Sequence, residues 1–231
     1  MKKIQLFLGV IFLLCASTVQ GQQDPQYTQY MYNMNVLNPA YAGSKGVMSV
    51  GLLARKQWVN VDGAPSTYTF ALHSPIGNAV GLGVSAIQDE IGPATESNIY
   101  VDFSYTVFTS DEGRLAFGLK GGFTFLDVDY WSTIDPELTG LNEPVSLSEP
   151  NFGAGIFYYD SRFYAGLSVP NFLETRHIEK EGGIVSTASE RMHYFLTAGY
   201  VFDVSDELKL KPSTMLKATD GSPLSVDLSA N

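Results

Sequence analysis

The chain has 231 residues, 45% apolar, 13% aromatic and only 16% charged, against about 25% charged in an ordinary soluble domain. A net charge of −10 without basic clusters excludes electrostatic capture of a phosphate backbone, so no nucleic-acid partner is expected. The single cysteine, Cys15, excludes a disulfide scaffold and a Cys-based zinc site, and 22 glycines, 11 prolines and 13 tyrosines lean towards an all-β chain with many turns.

Residues 1–21 read as a cleavable export signal. Lys2 and Lys3 form the charged start, Ile4 to Ala16 is an apolar run broken only by Gln5, and Val19-Gln20-Gly21 supplies small residues for cleavage. The run is short for the ~20 residues of a spanning helix. Leu14 stands where lipoprotein processing of Cys15 wants Gly or Ala, so lipidation is discounted. Residues 22–46 form a polar, Tyr-rich N-terminal segment with a turn at Asn38-Pro39. It reads as a periplasmic tether or as a plug inside the fold formed by residues 47–231.

Residues 47–231 alternate with period two. Met48, Val50, Leu52 and Ala54 share one face; Ile99, Val101, Phe103, Tyr105 and Val107 oppose Asn98, Asp102, Ser104 and Thr106. The same pattern recurs around Tyr68–Leu72, Val80–Ala86, Leu115–Phe125, Asn151–Tyr159, Phe163–Val169, Arg191–Phe202, Leu208–Ala218 and Leu224–Ala230. Ten strands are expected.

The connections sort by length. Short turns are expected at Ser74–Asn78, Thr109–Gly113, Asp160–Arg162 and Asp203–Glu207. Long loops are expected at Val59–Pro65, Asp89–Glu96, Asp127–Pro150 and Pro170–Glu190, with Thr219–Ser222 as the one exception. An outer-membrane barrel sorts its loops this way, short in the periplasm and long outside. Asp102, Lys120, Lys209, Lys211 and Asp227 all fall opposite the apolar face, where they avoid the ~2–4 kcal/mol that a lipid-facing base costs at mid-bilayer. Trp58, Tyr68, Phe125 and Tyr194 gather at one end, and Tyr105, Tyr158, Tyr200 and Phe202 at the other, as paired interfacial girdles do. The fold class is therefore all-β: a transmembrane antiparallel up-and-down β-barrel with outer-membrane lipid as its surroundings. Residues Leu224 to Asn231 still alternate where the chain stops, with no aromatic closing residue. The barrel therefore reads as C-terminally incomplete.

The stretches Tyr27-Thr28-Gln29-Tyr30-Met31 and Asn38-Pro39-Ala40-Tyr41-Ala42-Gly43, then Arg55-Lys56-Gln57-Trp58 and the hairpin from Asn151-Phe152-Gly153 to Pro170-Asn171-Phe172, resemble the PorP/SprF family. Its members are outer-membrane proteins of the type IX secretion system of Bacteroidota. The resemblance implies a non-enzymatic barrel that assists export and surface attachment of proteins such as gliding adhesins. It implies as partners periplasmic and outer-membrane secretion-system subunits and the secreted surface proteins themselves.

Motifs for enzymatic chemistry are missing: no Gly-x-Ser-x-Gly elbow, no phosphate-binding loop and no His-Glu-x-x-His. No cofactor is expected. His73, His177 and His193 could meet at a metal only through an accident of closure, and Asp127, Asp129 and Asp135 lack the dense oxygen spacing of a calcium loop. Tyr130-Trp131 is an interface anchor or a partner contact. Tyr30, Tyr32 and Tyr41 are the candidate partner contacts, because aromatic anchors carry much of the energy at interfaces. A passive porin on the same architecture is the alternative reading, and a lipase-like barrel lacks an assignable Ser/His/Asp set.

Overall fold

The computed structural model describes residues 30–129, 145–173, 176–177, 188–189 and 192–231. The expected export signal, residues 22–29, Tyr130, Trp131, Asp135 and the side chain of His177 lie outside the described residues.

Ten strands form one antiparallel sheet in meander order: β1 (Ser49–Lys56), β2 (Ser66–Ile76), β3 (Val80–Ile91), β4 (Ala94–Phe108), β5 (Arg114–Val128), β6 (Val145–Tyr159), β7 (Phe163–Val169), β10 (His193–Tyr200), β13 (Pro212–Thr219) and β14 (Ser225–Ala230). Two small hairpins stand apart from it, β8 (Arg176–His177) with β9 (Ala188–Ser189), and β11 (Phe202–Asp203) with β12 (Lys209–Leu210). These ten long strands are the ten expected from the alternation. Among the described residues β1 and β14 are not paired with each other, so the sheet is open.

The sheet is inverted relative to a water-soluble one. Leu52, Leu119 and Leu228 are 78%, 64% and 80% exposed, whereas Asp102, Ser104 and Lys120 are 0%, 0% and 3% exposed. An exposed apolar surface with a buried polar one is the informative departure from ordinary packing, and lipid is the solvent it suits. Both expected girdles point outward: Trp58, Tyr68, Phe125 and Tyr194 at one end, Tyr105, Tyr200 and Phe202 at the other are exposed, and Tyr158 is half-buried. Among the described residues no helix is long and apolar enough to cross a membrane.

Several boundaries differ from expectation. The Asp89–Glu96 loop does not exist as a loop: β3 and β4 pair out to Ile91 and Ala94, leaving only Gly92 and Pro93 to turn. Gly92 has φ +57°, a conformation glycine adopts without penalty. β6 likewise starts at Val145 and not at Asn151, running through Pro150. There β6 pairs with β5 alone, since its pairing with β7 begins at Ala154, and a strand bonded on one side tolerates proline. Strands β4, β5 and β6 each have 15 residues, more than the ~9–11 that cross a bilayer. Their polar ends therefore continue as sheet beyond the apolar band. Finally, the expected strand Leu208–Ala218 is divided: Lys209 belongs to β12, and Lys211 stands between it and β13.

Candidate functional site

The N-terminal segment is packed against the inward, polar face of the sheet. It descends through a 3-10 turn at Tyr30–Tyr32, one turn of α-helix at Met34–Leu37 and a second 3-10 turn at Pro39–Tyr41. Tyr30, Met34, Leu37 and Ala40 share a buried cluster with Ala116 of β5, Phe157 of β6, Phe195 of β10 and Met215 of β13. On the other side, Val36 packs with Ala71 of β2 and Ile87 of β3, and Asn33 donates to Thr69 Oγ1 at 3.0 Å. One short segment touches strands from β2 to β13, so the sheet must curl around it.

A row of small residues receives it. Gly81, Ser104, Gly118, Gly155 and Ser168 stand in register across β3, β4, β5, β6 and β7. Along that row the segment crosses the strands. A Cβ on Gly81 would overlap the Ala42 carbonyl oxygen, one on Gly118 the Ala40 amide nitrogen, and one on Gly155 the Asn38 side-chain oxygen. Glycine in a strand interior marks such close backbone approach.

Each residue of Asn38-Pro39-Ala40-Tyr41-Ala42-Gly43 has a physical task there. Asn38 accepts from the Ala40 amide at 3.0 Å, capping the turn, and its Nδ2 donates to the Ile156 carbonyl at 3.0 Å. Pro39 starts the turn, where its lack of an N–H costs nothing. Ala40 is fully buried, leaving no room for a larger side chain. Tyr41 meets His73 and Phe157 edge-on, with ring centroids 5.4 and 5.2 Å apart, and burial pushes its phenol up to about 12. The Ala42 carbonyl accepts from Ser104 Oγ at 2.6 Å. Gly43, at φ +77°, donates its N–H to His73 Nδ1 at 3.1 Å.

A second row lies two residues along the strands on the same face, where Gly83, Asp102, Lys120 and Gly153 are in register. Asn35 Nδ2 donates to Asp102 Oδ2 at 2.9 Å, and Lys120 Nζ donates to the Val36 carbonyl at 2.7 Å. Asp102 and Lys120, two buried charges of the sheet, are thus spent on holding the segment.

The family model described as the type IX secretion system membrane protein PorP/SprF matches residues 19–231. The chain belongs to this family. Neither a curated protein nor a solved structure matches it. For this PorP/SprF member the match supports a membrane component of the type IX secretion system, with other subunits of that system as partners, and the PorP/SprF family is not a known enzyme family.

The three tyrosines expected as partner contacts part company in this PorP/SprF chain. Tyr30 is 4% exposed and Tyr41 is walled by His73 and Phe157, so both are spent inside the protein. Tyr32 is 64% exposed, its hydroxyl donating to Asn231 Oδ1 at 3.4 Å, and is the one of the three presented outward. The receiving row is a functional feature that sequence reasoning misses. A signal for it exists: Gly81, Gly83, Gly118, Gly155 and Gly166 all fall on polar strand faces, where nothing in a lumen wall by itself requires glycine.

Proposed function

We propose that the protein is an outer-membrane component of the type IX secretion system, exported by its N-terminal signal. In this reading it assists export and surface attachment of secreted proteins such as gliding adhesins. The observation that carries the reading is the packed N-terminal segment, which occupies the inward face and leaves a protein suited to binding and positioning more than to passive diffusion. Outer-membrane lipid surrounds the apolar face. Secretion-system subunits meet the end of the fold where the segment enters, with Tyr32 as the exposed aromatic contact. Tyr30 and Tyr41 act on such a partner only indirectly, by fixing the segment.

The test is genetic. A Tyr32→Ala variant should insert in the membrane at normal levels while a cognate surface protein fails to appear outside the cell. Normal export by the inserted variant would remove Tyr32 from the interface. Purified full-length protein in planar bilayers should give no steady conductance; an open channel would favour the porin reading.

A further inference from the structure

At the short-turn end, a crevice of about 190 Å³ opens between the N-terminal segment, strands β6 and β7 with the turn that joins them, and Lys211 just before β13. One wall is aromatic: Phe157 stacks on Tyr159 at 5.4 Å and lies 5.9 Å from Tyr164, and Met31 and Met34 add polarizable surface. The other wall is cationic. Lys45 and Lys211 both line the crevice, and their charges repel one another. Among the described residues neither lies within ion-pair distance of a carboxylate.

The neighbouring charges are already engaged. Arg162 pairs with Asp203 at 2.8 Å, and Lys209 reaches the same carboxylate at 3.5 Å. Asp160 also borders the crevice, but its carboxylate accepts from the amides of Arg162 and Phe163 at 2.8 and 2.7 Å. Those backbone bonds hold its carboxyl below the ordinary range and tie it into the β6–β7 turn. Among the described residues the Lys211 ammonium has only the Tyr164 ring face, 5.0 Å away. In a chain of net charge −10, these two repelling cations beside an aromatic wall have no carboxylate partner among the described residues.

We infer that this crevice binds the C-terminal end of a polypeptide whose last residue is aromatic, Lys45 and Lys211 taking the terminal carboxylate and the wall of Phe157, Tyr159 and Tyr164 taking the ring. The volume is below the roughly 300–1,000 Å³ of sites for drug-sized ligands, which suits one large side chain with its carboxylate and excludes a folded domain. The inference does not depend on the secretion role proposed above, because the cations and the aromatic wall are there whatever the protein serves.

The probe is the tripeptide acetyl-Ala-Ala-Phe, with a free carboxylate or as its amide, titrated calorimetrically into the full-length protein in micelles. The free acid should bind, and the amide at least about tenfold more weakly, as expected for loss of a charge pair. A Lys45→Gln, Lys211→Gln double variant should lose binding of the acid to the level of the amide, while Lys211→Arg, which keeps the charge, retains it. Equal binding of acid and amide, no binding of the acid, or unchanged binding by the double variant would each overturn the inference. Inorganic phosphate binding as tightly as the acid would also overturn it, since the aromatic wall would then contribute nothing.

Discussion

Asp102 and Lys120 are direct register partners on β4 and β5, both buried, with their charged atoms 3.5 Å apart. Each also grips the N-terminal segment, Asp102 through Asn35 and Lys120 through the Val36 carbonyl. The Lys120 ammonium further lies 5.0 Å from the Tyr100 ring. A buried pair of this kind adds little net stability against an apolar replacement, but losing one partner strands a charge. Its effect here is positional: the pair holds a segment that local propensity could not hold, since one helical turn is unstable alone.

Lys120→Met should therefore destabilise the protein by about 3–5 kcal/mol, because Asp102 is left charged and unpaired. Adding Asp102→Asn should recover most of that loss, short of the ~1 kcal/mol of the bond to Val36. Urea unfolding in micelles measures both. A double variant no more stable than Lys120→Met would show that the pair is not the origin of the cost.

The small-residue row makes a steric prediction. Gly118→Val must overlap the Ala40 backbone, so it should expel the segment at a cost of at least about 1–3 kcal/mol. Gly121→Val is the matched control: its Cβ would meet Phe152 at an ordinary 3.5 Å on the lipid side. Chymotryptic cleavage at Tyr41 should rise sharply in the first variant and stay at the native level in the second. Protection of Tyr41 in Gly118→Val would show that the segment is not seated on this row.

Orientation follows from loop sorting, which holds for most connections but not for the two-residue turn at Gly92-Pro93 or for the short connection between β13 and β14. In a Cys15→Ser background, a Ser146→Cys variant, altered near the start of β6, should react with an impermeant thiol reagent on intact cells. An Asp111→Cys variant, altered in the β4–β5 turn, should react only after lysis. The reverse pattern would invert the protein in the membrane.

The strands were legible because one apolar face imposes period two on every membrane-crossing stretch. Their ends were not, for the same reason. Beyond the apolar band nothing forces alternation, so Asp89, Glu90, Thr95 and Glu96 look like loop residues although β3 and β4 pair through them. Thr67 donates to Asp89 there, and Asn98 donates to Glu96 at 2.6 Å, which satisfies polar groups that the alternation could not place. The site was half legible. Asn38-Pro39-Ala40-Tyr41-Ala42-Gly43 stood out as a shaped turn, but its receptor is assembled from glycines and serines on five strands. Only the register brings Gly81, Ser104, Gly118, Gly155 and Ser168 into one line. Tyr30 and Tyr41 looked like anchors for a partner because nothing local distinguishes an aromatic aimed at another protein from one aimed at the chain's own wall.

The central claim is that lipid lies against the apolar face and that the polar face is turned away from it around the N-terminal segment. Nitroxide labels placed singly at Leu52, Leu53, Ala54 and Arg55 on β1, and at Leu119 on β5, test it in reconstituted bilayers. Collisions with lipid-soluble oxygen should be frequent at Leu52, Ala54 and Leu119 and infrequent at Leu53 and Arg55. A water-soluble nickel reagent should fail to reach the first three. Loss of the period-two pattern, or access of the nickel reagent to Leu52 and Leu119, would contradict the account.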